Sequence, residues 1–418
     1  MAKKLIAEHV AGFVLKGDGF QISAEAKARK AKEPDVVDAT LGTFYYDDGQ
    51  FRAFPTVKKI MTELAANEDM RFYPYSTSDG GKDVKEAIIN WQFRGQREFL
   101  EKSGMYFQTV TTPGGTGGLT LSFANSLDAG ETILIPGLCW GPYNGIATSR
   151  GLKVVHYDMF DGDAFNMKGF KEAANAIIKE QGKFVTIVND PCNNPTGYTM
   201  SEEELSEILD FLNDSGVPCV FIYDTAYNDF DFRGTLEARQ KLRLFAKCNE
   251  NVLVSVVYSA SKTFCVYGQR FGAQILMSKN KEAVDAYFTA ANYYSRNTWS
   301  NANKGINNLL IEFDKHPELV DDVYKEIQVV RDQLKERSEL FVKEADEIGL
   351  KHSPYKGGYF LVLPCKHIDE YLEALKAEEK IYLLPSYKSV RVALCSLTMK
   401  EIHGLPARLL KVLKEVGE

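Results

Sequence analysis

At 418 residues the chain is long enough for two or three ordinary domains, and a composition of 44% hydrophobic, 26% charged and 12% aromatic residues describes a globular protein with a large interior. A formal net charge of −7 and the lack of any dense Lys/Arg run argue against nucleic acid or an anionic membrane surface as the main partner. The 7 cysteines form no CxxC pair and no Cys/His ligand spacing, which points to reduced, buried thiols in a cytoplasmic protein and to no metal site.

In chain order, the first ten residues are broken by Glu8 and His9 and make a poor signal peptide. No later stretch is apolar for long enough to span a bilayer. Residues 1–50 are too few to fold alone and are expected to pack against a C-terminal domain. The run Thr112-Pro-Gly-Gly-Thr-Gly-Gly118 then precedes a helical pattern at Leu119–Leu127. Glycines before a helix expose backbone N–H groups to an anion at its positive end. A plain loop and a nucleotide-binding loop are the rivals, but no Lys-Ser/Thr ending and no G-x-G-x-x-G is present. A small phosphate suits the loop better than a nucleotide.

Short β-branched runs follow at Thr132–Pro136, Leu152–Tyr157, Phe184–Val188, Cys219–Tyr223, Val252–Tyr258 and Phe271–Met277. Between two of them, Ser201–Asp214 reads as a helix, with a capping box of Ser201 and Glu204 and an apolar face of Leu205, Ile208, Leu209 and Leu212. Near-continuous apolar strands joined by helices predict an α/β fold with a mostly parallel sheet covered on both faces. Residues 51–300 would form this large domain, and 301–418 a smaller α/β domain. The smaller part carries an amphipathic stretch at Val320–Gly349, short strands at Tyr359–Leu363, Ile381–Leu384 and Val390–Leu394, and a C-terminal helix.

Chemistry-bearing residues sit just past these strands. Trp140 follows Pro136 and could pack in a core or stack on a flat heterocycle. Asn194-Pro-Thr-Gly197 follows the third of the buried runs and is by itself an ordinary turn. Asp224 directly follows Tyr223, with Tyr227 three residues on, at a strand end suited to meet a ligand. Ser259-Ala-Ser-Lys262 follows Tyr258, with Arg270 eight residues later. A lysine between apolar strands has a desolvated amine and a lowered pKa. Arg391 lies inside the apolar run Ser389-Val-Arg-Val-Ala-Leu394 and needs a carboxylate, of the protein or of a substrate.

One cofactor accounts for the whole set. Pyridoxal 5′-phosphate (PLP) requires a Schiff-base lysine, a carboxylate at its pyridinium nitrogen and a cradle for its phosphate. The order of glycine loop, Asn-Pro-Thr-Gly, Asp-x-x-Tyr, Ser-x-x-Lys and Arg resembles the fold-type I aminotransferases, and within them the aspartate/aromatic amino acid aminotransferase family, over nearly the whole chain.

The resemblance implies roles for particular residues. Lys262 would hold PLP as an internal aldimine and then carry the proton between substrate Cα and the cofactor. Asp224 would keep the ring nitrogen protonated, Asn194 and Tyr227 would bond the ring's phenolic oxygen, and Trp140 would stack on the ring. Gly115, Thr116, Ser259 and Arg270 would grip the phosphate. Tyr75, or Tyr73 if the intervening proline sets the alignment, would reach the phosphate of a second subunit, making a homodimer with composite sites. Arg391 and Gly42 would bind the substrate α-carboxylate, with Phe360 packed nearby. Arg296, in Arg296-Asn-Thr-Trp-Ser-Asn301, matches the arginine that reads a distal carboxylate from the partner chain, or is a surface residue at a helix end.

These roles imply ping-pong transamination of aspartate or an aromatic amino acid with 2-oxoglutarate and glutamate as the other pair. Asn193 and Tyr143 depart from the pattern, standing where the family carries histidines; they bear on substrate preference and on the ring's electronics. The rival readings are a β-decarboxylase or C–S lyase on the same scaffold, and a non-enzymatic PLP-binding regulator. The last would be expected to carry a DNA-binding domain, and no basic helix-turn-helix pattern is read before the fold.

Overall fold

The computed structural model describes residues 5–14, 19–66 and 70–417. Residues 1–4 and 15–18 of the N-terminal segment, including part of the stretch read against a signal peptide, lie outside the described residues. The β-branched runs become strands because their branched side chains fit a pleated, doubly covered surface. In chain order the main sheet contains β1 (Tyr106–Pro113), β2 (Thr132–Pro136), β3 (Lys153–Tyr157), β4 (Phe184–Asn189), β5 (Cys219–Asp224), β6 (Val252–Ser259) and β7 (Phe271–Ser278). Their spatial order is β1-β7-β6-β5-β4-β2-β3. From β6 to β3 all pairs are parallel, while β7 runs antiparallel to both its neighbours.

Alternation along each strand sends successive residues to opposite faces. In β5, Phe221 and Tyr223 join one core and Ile222 another; in β2, Leu134 faces the first and Ile133 and Ile135 the second. The second face is covered by Leu119 and Phe123 of helix α1 (Gly114–Ser126), which begins inside the glycine run rather than after it. A short helix α2 (Pro142–Thr148) follows β2, and α3 (Glu202–Asp214) carries the expected capping box, in which Ser201 accepts from the Glu204 N–H at 3.1 Å.

Beyond the sheet come α4 (Lys281–Thr298) and the 32-residue α5 (Pro317–Ile348). The latter spans two cores: Val320, Val323, Ile327, Val330 and Leu334 pack in the main one, and Phe341 and Ala345 in a second. That second core lies under a three-stranded antiparallel sheet of β8 (Phe360–Pro364), β9 (Leu384–Ser386) and β10 (Ser389–Ala393), in the order β8-β10-β9, with a C-terminal helix at Leu405–Glu415. The expected strand Ile381–Leu384 is divided. Ile381–Tyr382 pairs with Val37–Asp38 of the N-terminal segment, whereas Leu384 pairs with Arg391. Val37 and Ala39 thereby enter the second core. Among the described residues no helix is long and apolar enough to cross a membrane.

Candidate active site

Every strand from β2 to β6 that was expected to deliver a site residue ends at the same edge of the main sheet. Asn189 closes β4 beside Asp224, which closes β5, and Ser259 closes β6. The carboxyl ends of parallel strands are where open α/β sheets meet ligands. Lys262 is in the short helical turn Ala260–Thr263 just beyond β6. Thr263 donates to Asp229 Oδ2 at 2.7 Å, and Asp229 also pairs with the fully buried Arg239 at 2.7 Å, which anchors this turn from below.

Lys262 is half-buried with its ammonium 5.5 Å from the Tyr227 ring centre. Burial pulls its pKa down to about 8, against the opposing pull of Asp224. Asp224 is buried and forms no ion pair among the described residues. Its Oδ1 accepts the Ala226 N–H at 3.0 Å and its Oδ2 accepts the Tyr143 hydroxyl at 2.5 Å. Burial raises its pKa and these two donors pull it back. Tyr227 is buried, and its hydroxyl accepts from Asn194 Nδ2 at 3.4 Å. Trp140 is half-buried past β2, edge-on to Tyr143 at 5.6 Å.

Arg391 reaches this group from β10. Its Nη1 donates to Asn194 Oδ1 at 3.2 Å and its Nη2 to the Thr40 carbonyl at 2.5 Å, and its guanidinium lies 4.3 Å over the Phe360 ring. Its Nε is buried without a hydrogen-bond partner, and no carboxylate pairs with it among the described residues. The carboxylate that an arginine inside an apolar strand requires is therefore not supplied by the neighbouring side chains. Gly42 abuts the same ring: a Cβ there would sit 2.5 Å from Phe360 Cζ.

The glycine run meets Ser259 and Arg270 at the start of α1. A Cβ on Gly115 would lie 3.0 Å from Ser259 Cβ, and one on Gly114 would lie 2.3 Å from Arg270 Nη2. Thr116 is exposed in the first turn of α1. Arg270, with a left-handed backbone at φ 53, donates to Ser261 Oγ at 3.2 Å and to the Tyr267 carbonyl at 3.0 Å, and has no acidic partner among the described residues. Backbone N–H groups of the helix, two serines and an unpaired cation make a cradle for a dianion.

Three expected residues stand apart. Arg296 is exposed at the end of α4 and donates to Ser300 Oγ at 3.0 Å; Tyr75 and Tyr73 are 88% and 65% exposed. None of them hydrogen-bonds the cluster around Lys262. Other contributors carried little signal in the sequence. Thr40 acts through its carbonyl, which no side-chain pattern reveals. Asn189 braces the turn, accepting the Asn194 N–H at 2.7 Å and donating to the Asp224 carbonyl at 2.9 Å. Tyr267 accepts the Phe44 N–H at 3.1 Å, next to Gly42. Ser261 alone was legible, as the second hydroxyl before Lys262. Asn193 turns inward, its Oδ1 accepting the Thr196 hydroxyl at 2.9 Å, and serves the turn itself.

A family model described as aminotransferase class I and II matches residues 34–409. An aspartate aminotransferase of Escherichia coli is 26% identical over 280 residues, covering 65% of this chain and 67% of its own. An aromatic-amino-acid aminotransferase of Pseudomonas aeruginosa is 30% identical over 191 residues, 45% of this chain and 46% of its own. Among solved structures, an aminotransferase from Anaerococcus prevotii superposes with a TM-score of 0.90 at 29% identity, covering 98% of this chain and 99% of its own. An aromatic-amino-acid aminotransferase from Burkholderia pseudomallei, covalently bound to pyridoxal phosphate, gives 0.80 at 20% identity, covering 98% and 100%.

Proposed function

The chain belongs to the class I and II aminotransferases, and from that premise we propose that it moves the amino group of aspartate or an aromatic amino acid to 2-oxoglutarate, with Lys262 as cofactor anchor and proton carrier. It is an enzyme of amino-acid transamination, and its cofactor is PLP. The residues present fit that group. Asp224 is a buried carboxylate without a cation, suited to a protonated ring nitrogen; the Gly114–Thr116 cradle with Ser259 and Arg270 suits a phosphate; and Lys262 offers an amine poised near neutrality. Bound there, PLP supplies a carbonyl carbon that takes the amino group and a ring that delocalises the electron pair left on the substrate Cα.

The chain's own groups do the rest. The Lys262 amine, about half neutral near pH 8, can attack a carbonyl and can accept a proton from Cα once it is free. Tyr227 and Asn194, linked at 3.4 Å, offer an O–H and an N–H to the ring's phenolic oxygen. Trp140 offers a ring face, and Arg391 clamps the α-carboxylate of either acid in the ping-pong cycle.

The observation that carries the reading is Arg391. A buried guanidinium with an unpartnered Nε, bonded to the same Asn194 that contacts Tyr227, is prepared for a carboxylate that arrives with the substrate. The second copy belongs to the same proposal: Arg296 and Tyr75 of one protomer would complete the site of the other, Arg296 reading a distal carboxylate. So does a division into a large domain at 51–300 and a small one at 301–418, with residues 1–50 packed on the latter.

The deciding experiment is a panel of amino acids assayed with 2-oxoglutarate. Aspartate or aromatic donors are expected to yield glutamate. Without an acceptor, one equivalent of donor should be converted to its oxo acid with no CO2, sulfide or ammonia released. Release of any of these with continued turnover would favour the lyase or decarboxylase reading instead.

A further inference from the structure

Lys262 is flanked in its turn by two side chains tied to different partners. Ser261 accepts from Arg270 Nη1 at 3.2 Å, while Thr263, 2% exposed, donates to Asp229 Oδ2 at 2.7 Å. Asp229 is itself buried, and its Oδ1 accepts from Arg239 Nη1 at 2.7 Å. Arg239, in the helix Thr235–Gln240, also donates to the Trp91 and Thr235 carbonyls at 3.1 and 2.7 Å. From α5, Arg331 donates to the Asp229 carbonyl at 3.4 Å and to the Thr235 hydroxyl at 3.0 Å.

A guanidinium and a carboxylate are costly to bury, and an apolar pair of similar volume would fill the same space. What the ion pair adds is direction. With Oδ1 held by Arg239, the Asp229 carboxylate presents Oδ2 to the Thr263 hydroxyl at one place only. The Ser261 bond is shared with a cation that has a phosphate to hold, whereas the Thr263 bond meets protein alone. Phe264 and Cys265 close the turn, their N–H groups donating to the Ala260 and Lys262 carbonyls, both at 3.1 Å. A proton carrier needs so firm a base, because a displacement of about 1 Å at the reacting atoms can cost about a hundredfold in rate.

We infer that Asp229, held by Arg239, is a positioning residue: through the Thr263 hydroxyl it fixes the turn so that the Lys262 amine meets the substrate Cα proton. This rests on the proposed role of Lys262. In the step served, the Cα–H bond breaks, the proton passes to Lys262 Nζ, and the electron pair stays with the substrate carbon for the cofactor ring to delocalise.

Thr263→Val keeps the side-chain shape and removes the hydroxyl, and Thr263→Ser keeps the hydroxyl. In the PLP-free protein, hydrogen exchange at the Phe264 and Cys265 amides should be about tenfold faster in the valine variant, the equivalent of one charge-assisted hydrogen bond. The serine variant should exchange as the wild type does, and unchanged exchange in Thr263→Val overturns the inference. On the holoenzyme, single-turnover conversion of L-aspartate or L-phenylalanine, whichever the wild type accepts, is compared with that of the donor deuterated at Cα. Thr263→Val should lower the maximal rate constant about tenfold or more, leave the donor's apparent Kd within about twofold, and retain or enlarge the isotope effect. A rate within about twofold of wild type, or an isotope effect that shrinks, overturns the inference. Tyr223→Phe gives the structural comparison. Tyr223 donates to Asp190, whose carboxylate pairs with buried Lys241, two residues on from Arg239. That variant should lower the melting temperature without reducing the rate, and an equal fall in both variants overturns the inference. If Thr263→Val does not fold, Thr263→Ala removes the same hydroxyl and carries the same expectations. Lys262→Ala separates the two readings: conversion that survives there refutes Lys262 as proton carrier, while exchange at Phe264 and Cys265 still reports on the anchor.

Discussion

Lys262 carries the least comfortable charge in the site. It is desolvated and feels the cations Arg270 and Arg391, and although Asp224 and Cys395 oppose them and the Tyr227 ring face lies 5.5 Å away, its pKa falls to about 8. The sign of the consequence is fixed: below that pH the amine is an ammonium ion and cannot attack a carbonyl, and above it the amine is free. Covalent capture of PLP by the apoprotein should therefore accelerate as pH rises through about 8 and level off beyond it. Stopped-flow absorbance would show this, and a rate still climbing at the ordinary lysine value would contradict the burial argument. Arg391 invites a complementary measurement. Arg391→Ala should lower kcat/KM for every amino acid by about 2–4 kcal/mol in transition-state terms, because each substrate carboxylate loses its buried partner. A loss confined to dicarboxylates would mean that Arg391 reads the wrong end of the molecule.

The start of α1 shows how an element is shaped by what lies against it. Gly114 has φ +73, and any side chain on it would run into the Arg270 guanidinium. Gly114→Ala should weaken PLP binding by about tenfold or more, through displaced Arg270 as well as backbone strain of about 1 kcal/mol. Gly162→Ala is the control: Gly162 also has a positive φ, of +60, but nothing lies within 4 Å of its Cβ position. Equal loss in both variants would assign the effect to strain alone. The same element marks how far the sequence could be read. The strands β2 and β4 to β7 were visible because their runs are apolar on both faces, β3 by its paired valines, and the α3 capping box by Ser201 and Glu204. The first turn of α1 was not, since four of its first five residues are glycines, poor helix formers that here allow the backbone to approach Ser259 and Gly272. Strand β1, Tyr106–Pro113, escaped notice because Gln108, Thr109, Thr111 and Thr112 interrupt its apolar pattern. In the site, Lys262, Asp224 and Asn194 were legible as residue types at or just past strand ends, and Arg391 as a charge inside an apolar strand. The Thr40 carbonyl and the bond from Tyr143 to Asp224 join groups 351 and 81 residues apart and exist only once the chain is folded.

At the scale of the whole molecule, the chain brings Lys262, the glycine run and Arg391 together, yet leaves Arg296 and the alternatives Tyr75 and Tyr73 facing outward. Tyr75 is 88% exposed, Tyr73 is 65% exposed, and Arg296 is exposed at the end of α4. A large aromatic side chain gains nothing by standing in water, and Met70 and Tyr293, 72% and 74% exposed, share that condition. If Arg296 and Tyr75 serve the site of a second copy, activity should pass between inactive protomers. Lys262→Ala abolishes its own site but leaves Arg296 intact to lend, whereas Arg296→Ala keeps its lysine and lacks only the loan. In a hybrid dimer one site then has both residues and the other has neither. Random reassortment of equal amounts makes about half the dimers hybrids, each with one intact site of two, so dicarboxylate turnover should recover to about a quarter of wild type. Aromatic substrates, which have no distal carboxylate, should be turned over by the Arg296→Ala protein before any mixing. The check is an aspartate assay after the two variants are unfolded and refolded together, against the same variants refolded apart and then combined. Recovery only on joint refolding would establish composite sites. No recovery, with hybrids demonstrated by mass, would show that Arg296 serves its own chain or no chain.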